Sequence, residues 1–343
     1  MSITIRAEAI RELVDRWLGE GRRVLGPRAV QPGKILYGML TSSADLVLAP
    51  DVRPANSIKE AVFPRHETLY RYRLEGKRVE LTDAAAATAE QIVFCARPCD
   101  AAALAILDHV FNWDYRDEPY NERRQRTTVL TMVCRQPDAY CFCTSVGCGP
   151  EDPRGSDVLL YQLGDGALEV RPVTDKGRRL LEGHVASSAQ SGQASPAPAA
   201  TLDLEKIRDR LATGFEWDGW GAATLRCLGC GACAYGCPTC HCFDVVDEGH
   251  ASGGARVRNW DACQFALFTL HASGHNPRPS QWQRQRQRIY HKFKIYPDKF
   301  GTTLCTGCGN CSRNCPTGLG VLPVLRAVQD TAESQNAGHK CPG

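Results

Sequence analysis

Short apolar runs separated by polar and turn-forming residues fill the first 184 positions of this 343-residue chain. Three of them have the length and composition of strands, at 34–40, 91–96 and 127–134. Two more runs, 157–163 and 168–174, flank a Gly-Asp-Gly sequence at 164–166 and predict a hairpin. The alanine-rich segment 101–110 predicts a helix, with Asp100 as a candidate N-cap. The first part of the chain is therefore predicted to be a mixed α/β domain.

The pattern changes after residue 200, where strand signals nearly vanish. Apolar residues recur three or four positions apart in four predicted helices, at 202–211, 261–271, 281–292 and 319–332. Between the two patterns, positions 185–200 (VASSAQSGQASPAPAA) contain small residues and proline without a charge, as is typical of a linker. We therefore predict a partner-docking α/β domain at 1–184, a linker at 185–200 and a mainly helical domain at 201–343.

Two cysteine runs in the second part share one spacing, C-x2-C-x2-C-x3-C-P. Their cysteines are Cys227, Cys230, Cys233 and Cys237 in the first run and Cys305, Cys308, Cys311 and Cys315 in the second. In bacterial-type ferredoxins, three cysteines of such a run bind one [4Fe-4S] cluster and the fourth binds the other cluster. The residues between the runs include two of the predicted helices. We therefore expect an α+β chain whose C-terminal part is an α-helical ferredoxin domain with two clusters.

This spacing predicts two ligand sets and two [4Fe-4S] clusters as the cofactors. The first set is Cys227, Cys230 and Cys233 with Cys315, and the second is Cys305, Cys308 and Cys311 with Cys237. A pair of zinc knuckles is the alternative, but zinc sites favour two separated C-x2-C pairs or Cys/His mixtures. In a zinc site of that kind, the third cysteine of each run and the proline after the fourth would have no role. Cys240 and Cys242 follow the first run as alternative ligands or as packing residues, and Cys263 and Cys341 are expected to be unligated.

The composition bears on the cellular compartment and on the kinds of partner that the protein could bind. Eighteen cysteines would suggest a disulfide framework in a secreted domain. Residues 1–20 instead have the charges and apolar spacing of an amphipathic helix, so we expect reduced thiols and a cytoplasmic protein. No apolar run reaches the ~18 residues of a membrane span. The 41 basic and 38 acidic residues nearly balance, which does not favour wholesale nucleic-acid binding.

A basic segment at 262–297, between the cysteine runs, has no acidic residue. Its cations are Arg278, Arg284, Arg286, Arg288, Lys292 and Lys294. They could offset the negative charge of thiolate-ligated clusters or dock an acidic partner. Alternatively, these cations simply form the solvent-exposed face of a helix. Because aromatic residues lie among them, the segment could also bind nucleic acid.

Six more cysteines lie close together in the first part: Cys95, Cys99, Cys134, Cys141, Cys143 and Cys148. Cys134, Cys141 and Cys143, with Cys99, could form a third metal site, although buried thiols at strand ends would explain them as well. A dinucleotide-binding glycine motif, a phosphate loop, a nucleophile elbow and an H-E-x-x-H helix are absent from the sequence. We therefore expect no catalytic residues and a partner subunit that carries the flavin, haem or nickel centre.

The sequence also resembles the two-cluster beta subunits of soluble sulfhydrogenases, and one subunit of anaerobic sulfite reductase is similar. The resemblance lies in W-D-A-C-Q at 260–264, H-A-S-G-H-N-P-R at 271–278, R-Q-R-Q-R at 284–288, H-K-F at 291–293, R-P-C-D at 97–100 and C-F-C-T-S at 141–145. It implies a protein that relays electrons between a flavin-containing NAD(P)H-oxidising partner and a catalytic subunit of nickel-iron hydrogenase or sirohaem sulfite reductase type.

Two other functions remain open at this point. The chain could itself reduce sulfur or a disulfide with the help of a third metal site in its first part. It could also be a redox-sensing protein that binds nucleic acid through its basic segment.

Overall fold

The computed structural model describes residues 2–48, 53–83 and 89–331. The strands in these residues are β1 (Ser2–Ile5), β2 (Arg23–Gln31), β3 (Lys34–Met39), β4 (His66–Glu75), β5 (Arg78–Asp83), β6 (Gln91–Ala96), β7 (Thr127–Met132), β8 (Val158–Gln162), β9 (Leu168–Pro172), β10 (Ala186–Ser188), β11 (Phe243–His250) and β12 (Gly253–Trp260). The helices are α1 (Ala7–Gly19), α2 (Pro98–Phe111), α3 (Glu118–Arg126), α4 (Asp175–Leu181), α5 (Leu204–Thr213), α6 (Trp220–Thr224), α7 (Ala232–Tyr235), α8 (Gln281–Tyr290), α9 (Tyr296–Phe300), α10 (Asn310–Arg313) and α11 (Val321–Gln329). A π-helical turn at His291–Ile295 joins α8 to α9.

The first part of the chain is built on a sheet of eight strands in the order β10-β1-β9-β8-β7-β6-β2-β3. Its central strands β2, β6, β7 and β8 are parallel neighbours, and the remaining pairs are antiparallel. The predicted strands at β3, β6 and β7 and the predicted hairpin β8–β9 are confirmed. Because parallel strands end at the same edge, the loops after β6 and β7 lie side by side.

Helices cover this sheet and exclude water from its apolar residues. Of residues 1–20, predicted as an amphipathic helix, 7–19 form α1, whereas 2–5 form strand β1. The buried residues Ile10, Leu13 and Trp17 of α1 join the core formed with the central strands. The predicted helix α2 packs in a second core with β6 and β7. It begins at Pro98 with Arg97 as the N-cap residue, so the prediction of Asp100 as N-cap was wrong.

A second sheet, ordered β11-β12-β4-β5, connects the two parts of the chain. The expectation that strand signals vanish after residue 200 was therefore wrong. Strand β12 pairs with β11 and with β4, and it alternates between buried and less buried positions. Gly253 fits its place beside β4 because a Cβ there would come within 2.5 Å of the Tyr72 carbonyl oxygen.

The segment 261–271, predicted to be a helix, forms consecutive turns instead. Its amides bond to carbonyls three positions back, as from Phe265 to Ala262 (2.9 Å) and from Leu270 to Leu267 (3.1 Å). Asn276 fixes the segment by donating its side-chain amide to the Ala266 carbonyl oxygen at 2.7 Å. The leucines at helical spacing are exposed rather than buried, with Leu267 at 74%. Helical spacing without a surface to pack against did not produce a helix here.

The predicted linker at 185–200 packs along the first sheet. It contains β10, which pairs with β1, and the Ser195 amide donates to the Cys134 carbonyl oxygen at 2.9 Å. Thr144 Oγ1 donates to the Pro198 carbonyl oxygen at 2.7 Å. The boundaries 1–184, 185–200 and 201–343 remain a prediction.

The last part of the chain is mainly helical, and its core also includes Phe142 and Val146 of the first part. Helices α5, α6, α8 and α11 contribute Ile207, Trp220, Ile289 and Leu325 to a buried cluster that also contains Cys305 and Cys311. The predictions of helices at 202–211, 281–292 and 319–332 are confirmed by α5, α8 and α11, apart from residue 332, which lies outside the described residues. Within the described ranges, no helix is long and apolar enough to cross a membrane.

A buried ion network ties the second sheet to the first part. Arg258 on β12 donates through its Nε to Glu67 Oε2 at 3.0 Å and also bonds Asp117, and Arg123 contacts the same Glu67. Both Arg258 and Glu67 are buried. Removing one member of such a network leaves an uncompensated buried charge.

We therefore expect Arg258→Met to lower the free energy of unfolding by about 3–5 kcal/mol. The same substitution at Arg256, whose bond to Asp247 is on the exposed side of β12, should cost less than about 1 kcal/mol. Anaerobic urea unfolding of both variants measures the difference. Equal losses for the two variants would contradict the role of the buried network.

Candidate iron–sulfur site

The two cysteine runs fold in the same way. Gly231 in the first run and Gly309 in the second both have positive φ, 73° and 76°, and each precedes a helical turn, α7 or α10. A side chain at Gly231 would meet the Phe265 ring at 2.7 Å. Glycine is required there because it adopts this backbone conformation and leaves no Cβ to collide. The sequence repeat therefore reflects a repeated loop structure.

Backbone amides point at cysteine sulfurs in both loops. The amides of Gly229 and Gly307 lie 3.4 Å from the sulfurs of Cys227 and Cys305, at equivalent positions of the two runs. The amides of Leu319 and Val321 approach Cys315 and Cys311 at 3.3 and 3.4 Å. Donors of this kind favour thiolate over thiol and stabilise cysteine-ligated clusters.

The first predicted ligand set lies around one small cavity. Cys227, Cys230, Cys233 and Cys315 all line it, although Cys315 comes from the second run. Gln264, Gln285, Arg288 and Leu319 complete its wall. The structure thus brings together the four cysteines that were predicted to share a cluster, and this arrangement fits the crossed ligation of two-cluster ferredoxins.

The second predicted set is also a neighbourhood of thiols. Burial raises the pKa of the Cys305 thiol to about 12. Lys292 lowers this pKa, whereas Cys237 and Cys311 lie close enough to raise it further. Burial likewise raises the pKa of Cys308, with contributions from Cys99 and Cys237. Cys237 of the first run therefore lies with the cysteines of the second run.

Two buried cations lie between these thiol groups. Arg288 Nη2 donates to the Cys233 carbonyl oxygen at 3.2 Å, and both Arg288 and Lys292 are only 2% exposed. Burial opposes the charge of Arg288, yet the thiolates of Cys233 and Cys311 hold its pKa well above the usual value. Lys292 Nζ lies 3.5 Å from Cys237 Sγ and donates to Thr239 Oγ1 at 3.0 Å and to the Leu304 carbonyl oxygen at 2.8 Å.

The basic segment is thus largely an interior feature. Arg284, Arg286, Arg288 and Lys292 are all buried, so the interpretation of a solvated helix face was wrong for these four. Buried in this way, they are not presented to a nucleic-acid backbone. Lys59 adds a further buried cation from the first part and donates to the Cys240 carbonyl oxygen at 2.9 Å. Cations in such positions compensate the negative charge of thiolate-ligated metal.

The cysteines that follow the first run form close pairs. Cys240 is buried and shares a side-chain hydrogen bond with Cys237, which places it beside the second ligand set. Cys242 is paired with Cys263 in the same way. Within the described residues, no three Cys, His, Asp or Glu side chains converge to hold a single metal ion, and this includes the eight predicted ligands.

Sequence reasoning missed several residues around the thiols. Gln281 and Gln285, one turn apart on α8, donate their side-chain amides to Cys227 Sγ at 3.3 and 2.9 Å. Their i, i+4 spacing was visible in the sequence, but nothing in it indicated which face of α8 meets the cysteine loop. Nothing in the sequence indicated that Lys59 lies near the cysteines, because its contact with Cys240 depends on how the two parts of the chain pack together.

These hydrogen bonds should tune the first site. We expect Gln285→Leu to lower the reduction potential of the first cluster by about 60 mV, equivalent to about 1.4 kcal/mol for one electron. The direction follows because an N–H donor to sulfur stabilises the reduced, more negative state. Redox titration monitored by EPR measures the shift. Gln287→Leu on the same helix is the matched control, and an equal shift in that variant would contradict the assignment.

Comparison with known proteins identifies the cofactors. Residues 226–319 match the model of a 4Fe-4S dicluster domain, a range that contains all eight cysteines of the two runs. The C-terminal part therefore carries two [4Fe-4S] clusters, and the amide donors, buried cations and grouped thiols described above fit that cofactor. The chain has an iron–sulfur electron-transfer role.

A curated relative extends the match beyond this domain. Sulfhydrogenase 2 subunit beta of Pyrococcus furiosus is 32% identical over 252 residues, covering 70% of this chain and 74% of the relative. No solved structure gives a significant match. The resemblance noted in the sequence is thus confirmed over most of the chain, which belongs to the family of sulfhydrogenase beta subunits.

Proposed function

We propose that the chain relays single electrons within a cytoplasmic oxidoreductase complex. One partner would be a flavin-containing protein that oxidises NAD(P)H, and the other a catalytic subunit with a nickel-iron or sirohaem centre. The chain itself would carry out no substrate chemistry. The name of the Pyrococcus relative, a beta subunit of a sulfhydrogenase, supports a place in a multi-subunit complex.

The observation that carries this proposal is the adjacency of the two thiol groups. Burial raises the pKa of the Cys233 thiol to about 11, and Cys311 of the other predicted set lies close enough to contribute. Bound [4Fe-4S] clusters accept and donate one electron at a time. The eight cysteines proposed as ligands would thus hold two such carriers side by side, with Arg288 near both Cys233 and Cys311.

The loop of the first run supports a docking role for this end of the protein. Cys230 is exposed, and the neighbouring Leu225 and Leu228 expose 82% and 67% of their surface. Exposed leucines beside a redox site are typical of a surface that a partner covers. Electrons would enter or leave the chain here, because the second thiol group contains the buried Cys237, Cys305 and Cys311.

Anaerobic purification provides the test. The chain should hold four irons and four acid-labile sulfides for each of at least two clusters, and the dithionite-reduced protein should give EPR signals of interacting centres. NAD(P)H should reduce it only when the flavin-containing partner is present.

Two results would overturn the proposal. Iron for fewer than two clusters would exclude a two-centre relay. Reduction of sulfur or a disulfide by the isolated chain with an artificial electron donor would make the chain a catalyst, which is the alternative function.

A further inference from the structure

Four cysteines of the first part lie at one edge of the eight-stranded sheet. Cys99 follows the end of β6, and Cys134 follows the end of the adjacent parallel strand β7. Cys141 and Cys143 lie on the loop that continues from β7. The carboxyl ends of parallel strands are where open α/β sheets bind their ligands. Three chain segments therefore bring four thiols to a position that suits a site.

The four thiols are close neighbours. Burial raises the pKa of the Cys99 thiol, and Cys141 and Cys134 are near enough to contribute. Burial also raises the pKa of Cys143 to about 11, again with contributions from Cys141 and Cys134. All four are partly exposed, so the group lies near the surface.

Cationic and amide donors point at these sulfurs. Arg97 donates through Nη2 to Cys134 Sγ at 2.9 Å, and Arg313 donates through Nη2 to Cys141 Sγ at 3.3 Å. The Asp138 amide also donates to Cys141 Sγ, at 3.4 Å. The Asp138 carboxylate holds the Arg313 guanidinium with two bonds of 2.7 and 3.0 Å. The Cys141 thiol in turn donates to Asp138 Oδ1 at 3.3 Å. At the predicted ligand Cys227, a backbone amide and two glutamine side chains likewise donate to the sulfur.

The thiol group borders on the second cysteine run. The Phe142 amide donates to the Gly307 carbonyl oxygen at 2.9 Å. A Cβ on Gly307 would come within 2.5 Å of the Cys143 backbone, so only glycine permits this approach. Cys99 is near enough to Cys308 to raise the pKa of its thiol, in addition to burial. The loop between Cys305 and Cys308 thus lies against the four cysteines of the first part.

We propose that Cys99, Cys134, Cys141 and Cys143 bind a third iron–sulfur cluster next to the second one. Four cysteine sulfurs that accept hydrogen bonds from cationic and amide donors are the ligand chemistry of iron–sulfur clusters and of zinc held by four cysteines. The cations and the contact with the second run favour the redox cofactor. This site extends the proposed relay toward the first part of the chain. Transfer between this cluster and the second one would move a single electron, without transfer of a proton and without formation or cleavage of a bond.

The test counts clusters in the intact chain. Native mass spectrometry of anaerobically prepared protein, with iron and sulfide analysis, should find three clusters. Cys134→Ala and Cys141→Ala should each lose one cluster's iron and keep the EPR signals of the other two. Cys95→Ala is the matched control, because Cys95 is a buried thiol on β6 and should leave all three clusters in place.

The outcomes separate this inference from the relay. Two clusters in the unaltered chain, or one zinc ion with two clusters, would overturn the third cluster and leave the relay intact. Fewer than two clusters would overturn both. An alanine variant that loses all iron would report misfolding, in which case the cluster count of the unaltered chain decides.

Discussion

Replacing Cys308 with alanine should remove one of the two ferredoxin-type clusters and stop electron flow through the chain. Cys308 belongs to the second predicted ligand set, and its thiol lies beside Cys237 and Cys311. A cubane with three cysteine ligands is exposed at its fourth iron and is easily lost. We therefore expect the iron content to fall by four and electron transfer from the proposed flavin-containing partner to become undetectable. Iron analysis and stopped-flow reduction measure the two effects.

The control for this prediction is another cysteine of the C-terminal part. Cys341 lies outside the described residues and is predicted to bind no cluster. Cys341→Ala should keep both clusters and the normal rate of reduction. Equal damage from the two substitutions would refute the ligand assignment.

Replacing Lys292 with methionine should lower the reduction potential of the second cluster on the order of 100 mV. The Lys292 ammonium group is buried and lies 3.5 Å from Cys237 Sγ. Burial lowers the pKa of Lys292, but the thiolates of Cys237 and Cys240 raise it by more, so the pKa lies above its usual value. Lys292 therefore stays charged across the physiological range. At an effective dielectric constant of about 20, a unit charge at about 6 Å contributes about 3 kcal/mol. Loss of a cation disfavours the reduced cluster, so the potential falls.

Two further variants separate charge from packing. Lys292→Arg keeps the positive charge and should restore most of the potential. Lys294→Met removes a charge only two residues away, but that lysine pairs with Asp298 at the surface and should have little effect. A potential that is unchanged in Lys292→Met, or equally lowered in Lys294→Met, would show that the buried ammonium does not tune the cluster.

The sequence predicted the parts of the site that are local. As proposed ligands, Cys227, Cys230 and Cys233 would have to reach one cluster from one loop, so their spacing is constrained over a few residues and is visible in the sequence. The same holds for the hairpin β8–β9, where a Gly-Asp-Gly turn determines which strands pair. Such features depend on the backbone geometry of short segments.

The parts that were missed depend on contacts between distant segments. The environment of Cys227 comes from Gln281 and Gln285, and that of Cys240 comes from Lys59. The turns at 261–271 have a helical apolar pattern, but Leu267 has no surface to bury against. The apolar pattern of a segment shows which side chains it could bury. Whether another surface is present to cover those side chains depends on the rest of the fold.

The pairing of β12 with β4 also has a consequence for biosynthesis. Gly254 pairs with Tyr72, so the two strands are separated by more than half of the chain. During translation the edge of β4 must remain unpaired until the ribosome has released the whole hairpin β11–β12, and open strand edges invite aggregation. The first cysteine run emerges before this pairing forms, and the second run emerges after it. We therefore expect cluster insertion to be post-translational, and nascent chains to need a chaperone until that edge is closed.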